Sequence, residues 1–171
     1  MNILIQLGSL LRTVTQIEGR KKLQKMVHIL QEFGVPFDVS YGYHFYGPFS
    51  EQLQDSLQSF QHDGLIHETP YHQTSRFAAD GKLLELLELV DATSPPAWAP
   101  FAIELNAKSP RDLEAISTLL YLEKQTGNII GSDAVDETFE KLKPNLKELL
   151  PKAKSTLAEF RVTFSQDKLA A

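Results

Sequence analysis

The stretch GRKKLQKMVHILQEFGVPFDVSYGYHFYGPFS, Gly19 to Ser50, decides the fold, because two hydrophobic periods meet inside it. Leu23, Met26, Val27, Leu30 and Phe33 recur at helical spacing and place Lys21, Lys25, His28 and Glu32 on the opposite side. Gly34 supplies a C-terminal stop, and Pro36 prevents the helix from resuming. From Val35 the period changes to two. Phe37, Val39, Tyr41, Tyr43 and Phe45 alternate with Asp38, Ser40, Gly42, His44 and Tyr46, which predicts a half-buried strand with the odd residues inward. Gly47-Pro48 breaks that strand at a corner.

Towards the N-terminus, Ile3, Leu4, Leu7, Leu10, Leu11 and Val14 predict a first amphipathic helix within Met1 to Gln16, and Thr15 to Glu18 a short connection to an antiparallel partner. No cation precedes its apolar part, and Gln6 and Gly8 interrupt it, so it reads as a core helix and not as a signal peptide. Towards the C-terminus, Ser50 is placed to cap a third helix with Leu53, Leu57 and Phe60 inside, ending at Gly64. Leu65 to Glu68 and Gln73 to Ala78 read as a hairpin about Thr69-Pro70. Lys82 to Val90 form a helix with Leu83, Leu86, Leu87 and Val90 inward.

Asp91 to Pro100, with its three prolines, is the best internal boundary. Beyond it the pattern is helical. Trp98, Phe101 and Leu105 suit a short segment. Ser109-Pro110-Arg111-Asp112 is a helix start leading to Leu113, Ile116 and Leu120, with a stop at Gly127. Ser132 opens a helix to Lys143, with Val135, Phe139 and Leu142 inward and Glu137 four residues before Lys141. Leu149, Leu150, Ala153, Leu157 and Phe160 stripe a last helix around Leu146 to Phe164, which Pro151 kinks or restarts. The expected fold is mainly α with a small antiparallel β element. A winged-helix-like half, residues 1–91, packs against a helical bundle, residues 97–171, as two regions or one compact domain. The dozen or so extended residues between the second and third helices depart from the usual winged helix, where a tight turn joins them.

Composition narrows the chemistry. The 171 residues contain no cysteine, which removes disulfides, thiol catalysis and thiolate zinc sites. A hydrophobic fraction of 42% fills a core, and no run of about 18 apolar residues exists to span a membrane. The cytoplasm is the default compartment. There is no phosphate-binding loop, dinucleotide fingerprint or nucleophile elbow, and His28, His44, His62, His67 and His72 show no metal-ligand spacing. The expectation is a chain that is not an enzyme and needs no cofactor or metal.

Two groups of residues remain as candidate binding sites. Arg20, Lys21, Lys22 and Lys25 form a basic cluster near a helix N-terminus, suited to phosphates, with a solvated helix face as the plainer reading. His44 and Tyr46 share one side of the aromatic strand, where they line a ligand pocket or pack beneath later helices. No lysine or arginine occurs between Lys25 and Arg76. The third helix and hairpin therefore lack the cations that ordinary groove binding of DNA requires.

The residues Gly19-Arg20-Lys21-Lys22-Leu23-Gln24-Lys25, His44-Phe45-Tyr46-Gly47-Pro48-Phe49-Ser50 and Gly64-Leu65-Ile66 resemble the YwgA-like family of small bacterial proteins. More distantly, Lys22-Leu23-Gln24-Lys25 and Tyr46-Gly47-Pro48 resemble signatures of the SocA-like, or Panacea, antitoxin and adaptor domains. The chain departs from those in lacking a tryptophan before the Gly-Pro corner and in carrying Phe49 after it. The closer resemblance implies a bacterial, cytoplasmic, mostly helical protein with a winged-helix-like half, and implies no activity. The functional expectation is a non-enzymatic regulatory or protein-interaction module, acting through a protein partner or as a dimer. The alternative is a nucleic-acid-binding transcriptional regulator using the basic helix at 20–25.

Overall fold

A computed structural model of the chain describes residues 3–127, 129, 131–165 and 169. Met1 and Asn2 of the expected first helix, and the last few residues of the expected 97–171 region, lie outside the described residues. The protein is mainly α-helical with two small antiparallel sheets. In chain order the elements are α1 (Ile3–Val14), β1 (Ile17–Glu18), α2 (Arg20–Glu32), β2 (Gly42–His44), β3 (Gly47–Phe49), α3 (Glu51–His62), β4 (Ile66–Tyr71), β5 (Thr74–Ala79) and α4 (Gly81–Leu89). There follow α5 (Ala99–Asn106), α6 (Pro110–Thr126), α7 (Asp133–Leu142), a 3-10 helix at Pro144–Leu149 and α8 (Leu150–Thr163). No helix of the described residues is long and apolar enough to cross a membrane.

Helices α2 and α6 pack on each other at the centre, and both are buried nearly all round. Here the structure corrects the expected outer face of α2. Lys25 and His28 are each 1% exposed. Their cover is a matching polar stripe on α6, where Glu114, Ser117, Thr118 and Tyr121 recur at helical spacing. Lys21 pairs with Glu114, His28 Nδ1 lies 2.7 Å from Ser117 Oγ, and Lys124 Nζ lies 2.9 Å from Glu32 Oε1. The two helices therefore meet along a polar seam flanked by apolar packing. One hydrophobic core takes in Leu23, Met26 and Leu30 of α2, Phe77 of β5, Phe101 of α5, Ile116 of α6 and Phe160 of α8.

Thr15 to Glu18, expected as a bare connection, holds β1. It pairs antiparallel with β5 through Ile17↔Phe77 and Glu18↔Arg76, giving the order β1-β5-β4. Its turn of the chain sends α1 against α5, α4 and β5, and not into an antiparallel pair with α2. Gly8 belongs to that packing: a Cβ there would stand 3.1 Å from Leu87 Cδ2 of α4. The hairpin turn falls at His72-Gln73, not at Thr69-Pro70. Pro70 sits inside β4, which is tolerated because β4 is an edge strand and a missing N–H costs no ladder bond there.

The alternation from Phe37 to Phe45 survives only in part. Val35, Phe37 and Val39 are buried as expected, but this segment runs without a strand partner. The Gln31 side chain replaces one, donating to Val39 O at 2.8 Å and accepting from Val39 N at 3.0 Å. Regular pairing begins at Gly42, and Gly47-Pro48-Phe49 is the returning strand of a hairpin whose two-residue loop is Phe45-Tyr46. Reversal there turns Phe45 outward, so that it is 86% exposed instead of buried. Val90 and Leu142, expected inward, are also largely exposed, each at or just past the end of its helix.

The expected caps form. Ser50 accepts from Leu53 N at the start of α3, Ser109 from Asp112 N at α6 and Ser132 from Val135 N at α7, each typically worth about 1 kcal/mol. Pro144 stops α7, and Pro151 lies in the first turn of α8, where it restarts a helix instead of kinking one. Glu137 and Lys141 do not pair; Glu140 meets Lys147 at 2.9 Å.

Candidate functional site

The β2–β3 hairpin is held from beneath by side chains of α2 and of the α7 terminus. Gln24 of α2 donates to Ser50 O at 2.9 Å and accepts from Ser50 N at 3.0 Å. Lys25 donates to Pro48 O, and Lys143, just past α7, donates to Phe45 O at 2.6 Å. The motif Lys22-Leu23-Gln24-Lys25 and the corner Tyr46-Gly47-Pro48-Phe49-Ser50 are thus two halves of one lock. Gly47 carries φ +84°, and a Cβ there would approach Thr118 Oγ1 of α6 to 3.0 Å, so glycine is required twice over.

Beneath the hairpin, Lys21 and Lys143 both ion-pair with Glu114, which is 1% exposed, and Lys143 Nζ lies 2.7 Å from its Oε1. Burial pushes the Glu114 carboxyl upward, but the hydrogen bonds and charges of Lys143 and Lys21 outweigh it and hold it below the usual carboxylate range. Burial pulls the Lys25 ammonium down to about 7; Glu114 opposes this, and Lys21 and Lys143 add to it. Burial likewise lowers His28 to about 3, helped by Lys25 and Lys124, so its imidazole is neutral at physiological pH.

An open cleft of about 820 Å³ separates the hairpin from the N-terminus of α6 and the junction after α7. Lys21, Tyr43, His44, Phe45 and Tyr46 line one side, and Arg111, Lys141 and Lys143 the other, with Glu114 at the floor. Tyr46 is 59% exposed and packs edge-on against Phe45 at 4.9 Å, while the Lys21 ammonium lies 4.9 Å from the Tyr46 ring centre. His44 rests on Phe49 at 5.0 Å. The Tyr43 ring lies 5.6 Å from Lys143 Nζ, and its phenol is raised to about 12 by burial, with Glu114 and Tyr121 contributing. A smaller pocket of about 260 Å³ on the hairpin reaches Lys25.

Of the residues singled out in the sequence, Lys21, His44 and Tyr46 therefore meet in one cleft. The four cations of the basic cluster do not form one face. Arg20 makes a two-pronged pair with Glu68, at 2.7 Å and 3.1 Å, and Lys22 is buried against Asn106 O. Lys25 is consumed by Pro48 O. Sequence reading missed Phe45, Arg111, Glu114, Lys141 and Lys143 as site residues. The signal for Glu114 is its place with Ser117 and Thr118 in an otherwise apolar run, a polar stripe on a core helix. Phe45 and Lys143 depend on a loop and a helix end whose placement has no periodicity to announce it.

The chain is 35% identical over 112 residues to "Uncharacterized protein YwgA" of Bacillus subtilis (strain 168), an alignment covering 63% of this chain and 67% of that protein. No family model matches the chain. The SocA-like resemblance rests on the quoted signatures alone. With the Gly-Arg-Lys-Lys-Leu-Gln-Lys and Tyr-Gly-Pro-Phe-Ser segments locked together as described, and with this relative beside it, the chain belongs to the YwgA-like family.

Proposed function

We propose that the protein is a non-enzymatic interaction module of the bacterial cytoplasm whose protein partner docks on the Phe45-Tyr46 tip. The observation that carries this reading is a large aromatic side chain, 86% exposed, on a loop whose own carbonyl is bonded by a buried lysine. A rigid, solvent-facing aromatic loses little conformational entropy on binding, which is the property of an interface anchor. The order α1-β1-α2-α3-β4-β5 with strands β1-β5-β4 supports a winged-helix reading of the first half, lengthened between α2 and α3 by the aromatic hairpin. The exposed face of α3 bears Glu51, Gln52, Asp55, Gln58 and His62, without lysine or arginine, which favours a protein partner over duplex DNA. Nucleic-acid binding through residues 20–25 loses support because Lys22 and Lys25 are buried against backbone carbonyls.

The test is a photoreactive phenylalanine analogue at position 45, irradiated in cells that produce the protein. A discrete adduct, or a crosslinked dimer, that disappears when the analogue stands at Glu148 is the expected result. No adduct from position 45, together with a turnover activity of the monomer, overturns the reading.

A further inference from the structure

The cleft behind the tip carries a charge pattern that partner docking at Phe45 does not explain. Lys21, Arg111, Lys141 and Lys143 line it against a single carboxylate, Glu114, and Lys25 stands just behind as a further amine. Each ammonium has three donors. Lys143 spends two, on Glu114 and Phe45 O, and Lys21 has one ion-pair partner, Glu114. Arg111 gives one N–H to Asn145 O at 2.9 Å and keeps the rest of its fork. Donors are thus left over, and they converge on open space. Excess positive charge gathered around one carboxylate is costly in a partly desolvated site, and an anion relieves it.

The opposite wall is aromatic: Tyr46 and Phe45 present ring surface to the same opening. The volume, about 820 Å³, lies in the range of about 300 to 1,000 Å³ usual for small-molecule sites and far exceeds the need of a lone inorganic anion. We propose that this cleft binds a small ligand joining a phosphate to a planar ring, a mononucleotide in size and chemistry. The phosphate is held by Arg111, Lys141 and the remaining donors of Lys21 and Lys143, and the ring stacks on Tyr46. This site goes beyond the docking reading and does not depend on it, since its ligand is bound by the purified chain alone.

The experiment is calorimetric titration at low salt of the full chain with adenosine monophosphate, adenosine and inorganic phosphate, each taken to about 5 mM, a ceiling that still registers weak binding. Saturable binding of the monophosphate, weaker binding of the other two and a loss of affinity with added salt are expected. A double substitution of the rim, Arg111→Ala with Lys141→Ala, leaves the buried lysines in place and is checked for folding by its melting curve. It weakens monophosphate binding by about tenfold or more, the worth of one lost charge-assisted bond. Lys82→Ala, on the exposed start of α4, leaves it unchanged. Absence of saturable binding overturns the proposal, as does binding indifferent to the double substitution. Adenosine binding as tightly as its monophosphate removes the phosphate role, and inorganic phosphate binding as tightly removes the ring.

Discussion

The β4–β5 hairpin keeps its shape through its own ladder, from Ile66↔Ala79 to Tyr71↔Thr74, with β1 added along β5. The β2–β3 hairpin has only Gly42↔Phe49, Tyr43↔Pro48 and His44↔Gly47, half as many pairs and no third strand beside it. Their aromatic groups differ in the same sense. Tyr71 of β4 is covered by the Arg76 guanidinium, 3.2 Å from its ring centre, and Arg76 also pairs with Glu18. Phe45 and Tyr46 stand open, and their cations lie below or beside them. A ladder makes a hairpin self-sufficient and leaves its side chains to be neutralised locally. A hairpin too short for that is fixed by borrowed donors, and its tip stays free for other contacts.

The sharpest way to break this contrast is to remove a borrowed donor. Lys143→Met deprives buried Glu114 of one of its two ammoniums and frees Phe45 O, and a loss of about 3 to 5 kcal/mol in urea unfolding is expected. Adding Glu114→Met in the same chain recovers part of that loss, because the stranded carboxylate is then gone. An unaffected Lys143→Met protein would mean that the short ladder holds the hairpin by itself.

Acid sharpens the comparison next. His28, lowered to about 3 by burial, is neutral in the folded chain while an unfolded imidazole near 6.5 takes up a proton. Between those values the unfolded state binds more protons, so stability falls as the pH drops from about 6.5 towards 3. Unfolding curves collected across this range should show that decline in the native chain and a flatter profile in His28→Gln. An identical slope in the variant would show that the seam does not set it.

The smallest effect is expected at the β4–β5 hairpin. Arg20 and Glu68 form a surface pair, and Arg20→Ala should cost about 0.2 to 1 kcal/mol in the same urea assay, less with added salt. The hydrogen bond from Arg20, working against partial burial and joined by those from Ser75 and Gln61, lowers the Glu68 carboxyl to about 2. Its contribution is therefore present above about 4.5 and lost as the pH falls towards 2. A larger cost than at Lys143 would reverse the ranking of the two hairpins.

What the sequence made legible follows from which interactions are local. Caps such as Ser50 and Ser109, the stops at Gly64 and Pro144 and the apolar stripe of α2 act within a few residues, and each emerged where the pattern put it. The opposite face of α2 looked solvated because the stripe that covers it, Glu114 to Tyr121, lies about ninety residues away and is itself polar. Two polar stripes that satisfy each other look, taken singly, like two wet faces. The candidate site divided along the same line: Lys21, His44 and Tyr46 were visible, whereas the wall formed by Arg111, Lys141 and Lys143 comes from helices with no sequence link to the hairpin.

The bond from Lys143 to Phe45 O closes a span of 98 residues. During synthesis the hairpin is made early and its Lys143 anchor late, so this one bond waits until the end of α7 has left the ribosome. Gln24 and Lys25, by contrast, lie only 26 and 23 residues from Ser50 and Pro48, so those anchors are made together with the hairpin. One anchor of the hairpin thus comes from the second half of the chain, so the fastened tip is a property of the whole fold and not of the first half alone.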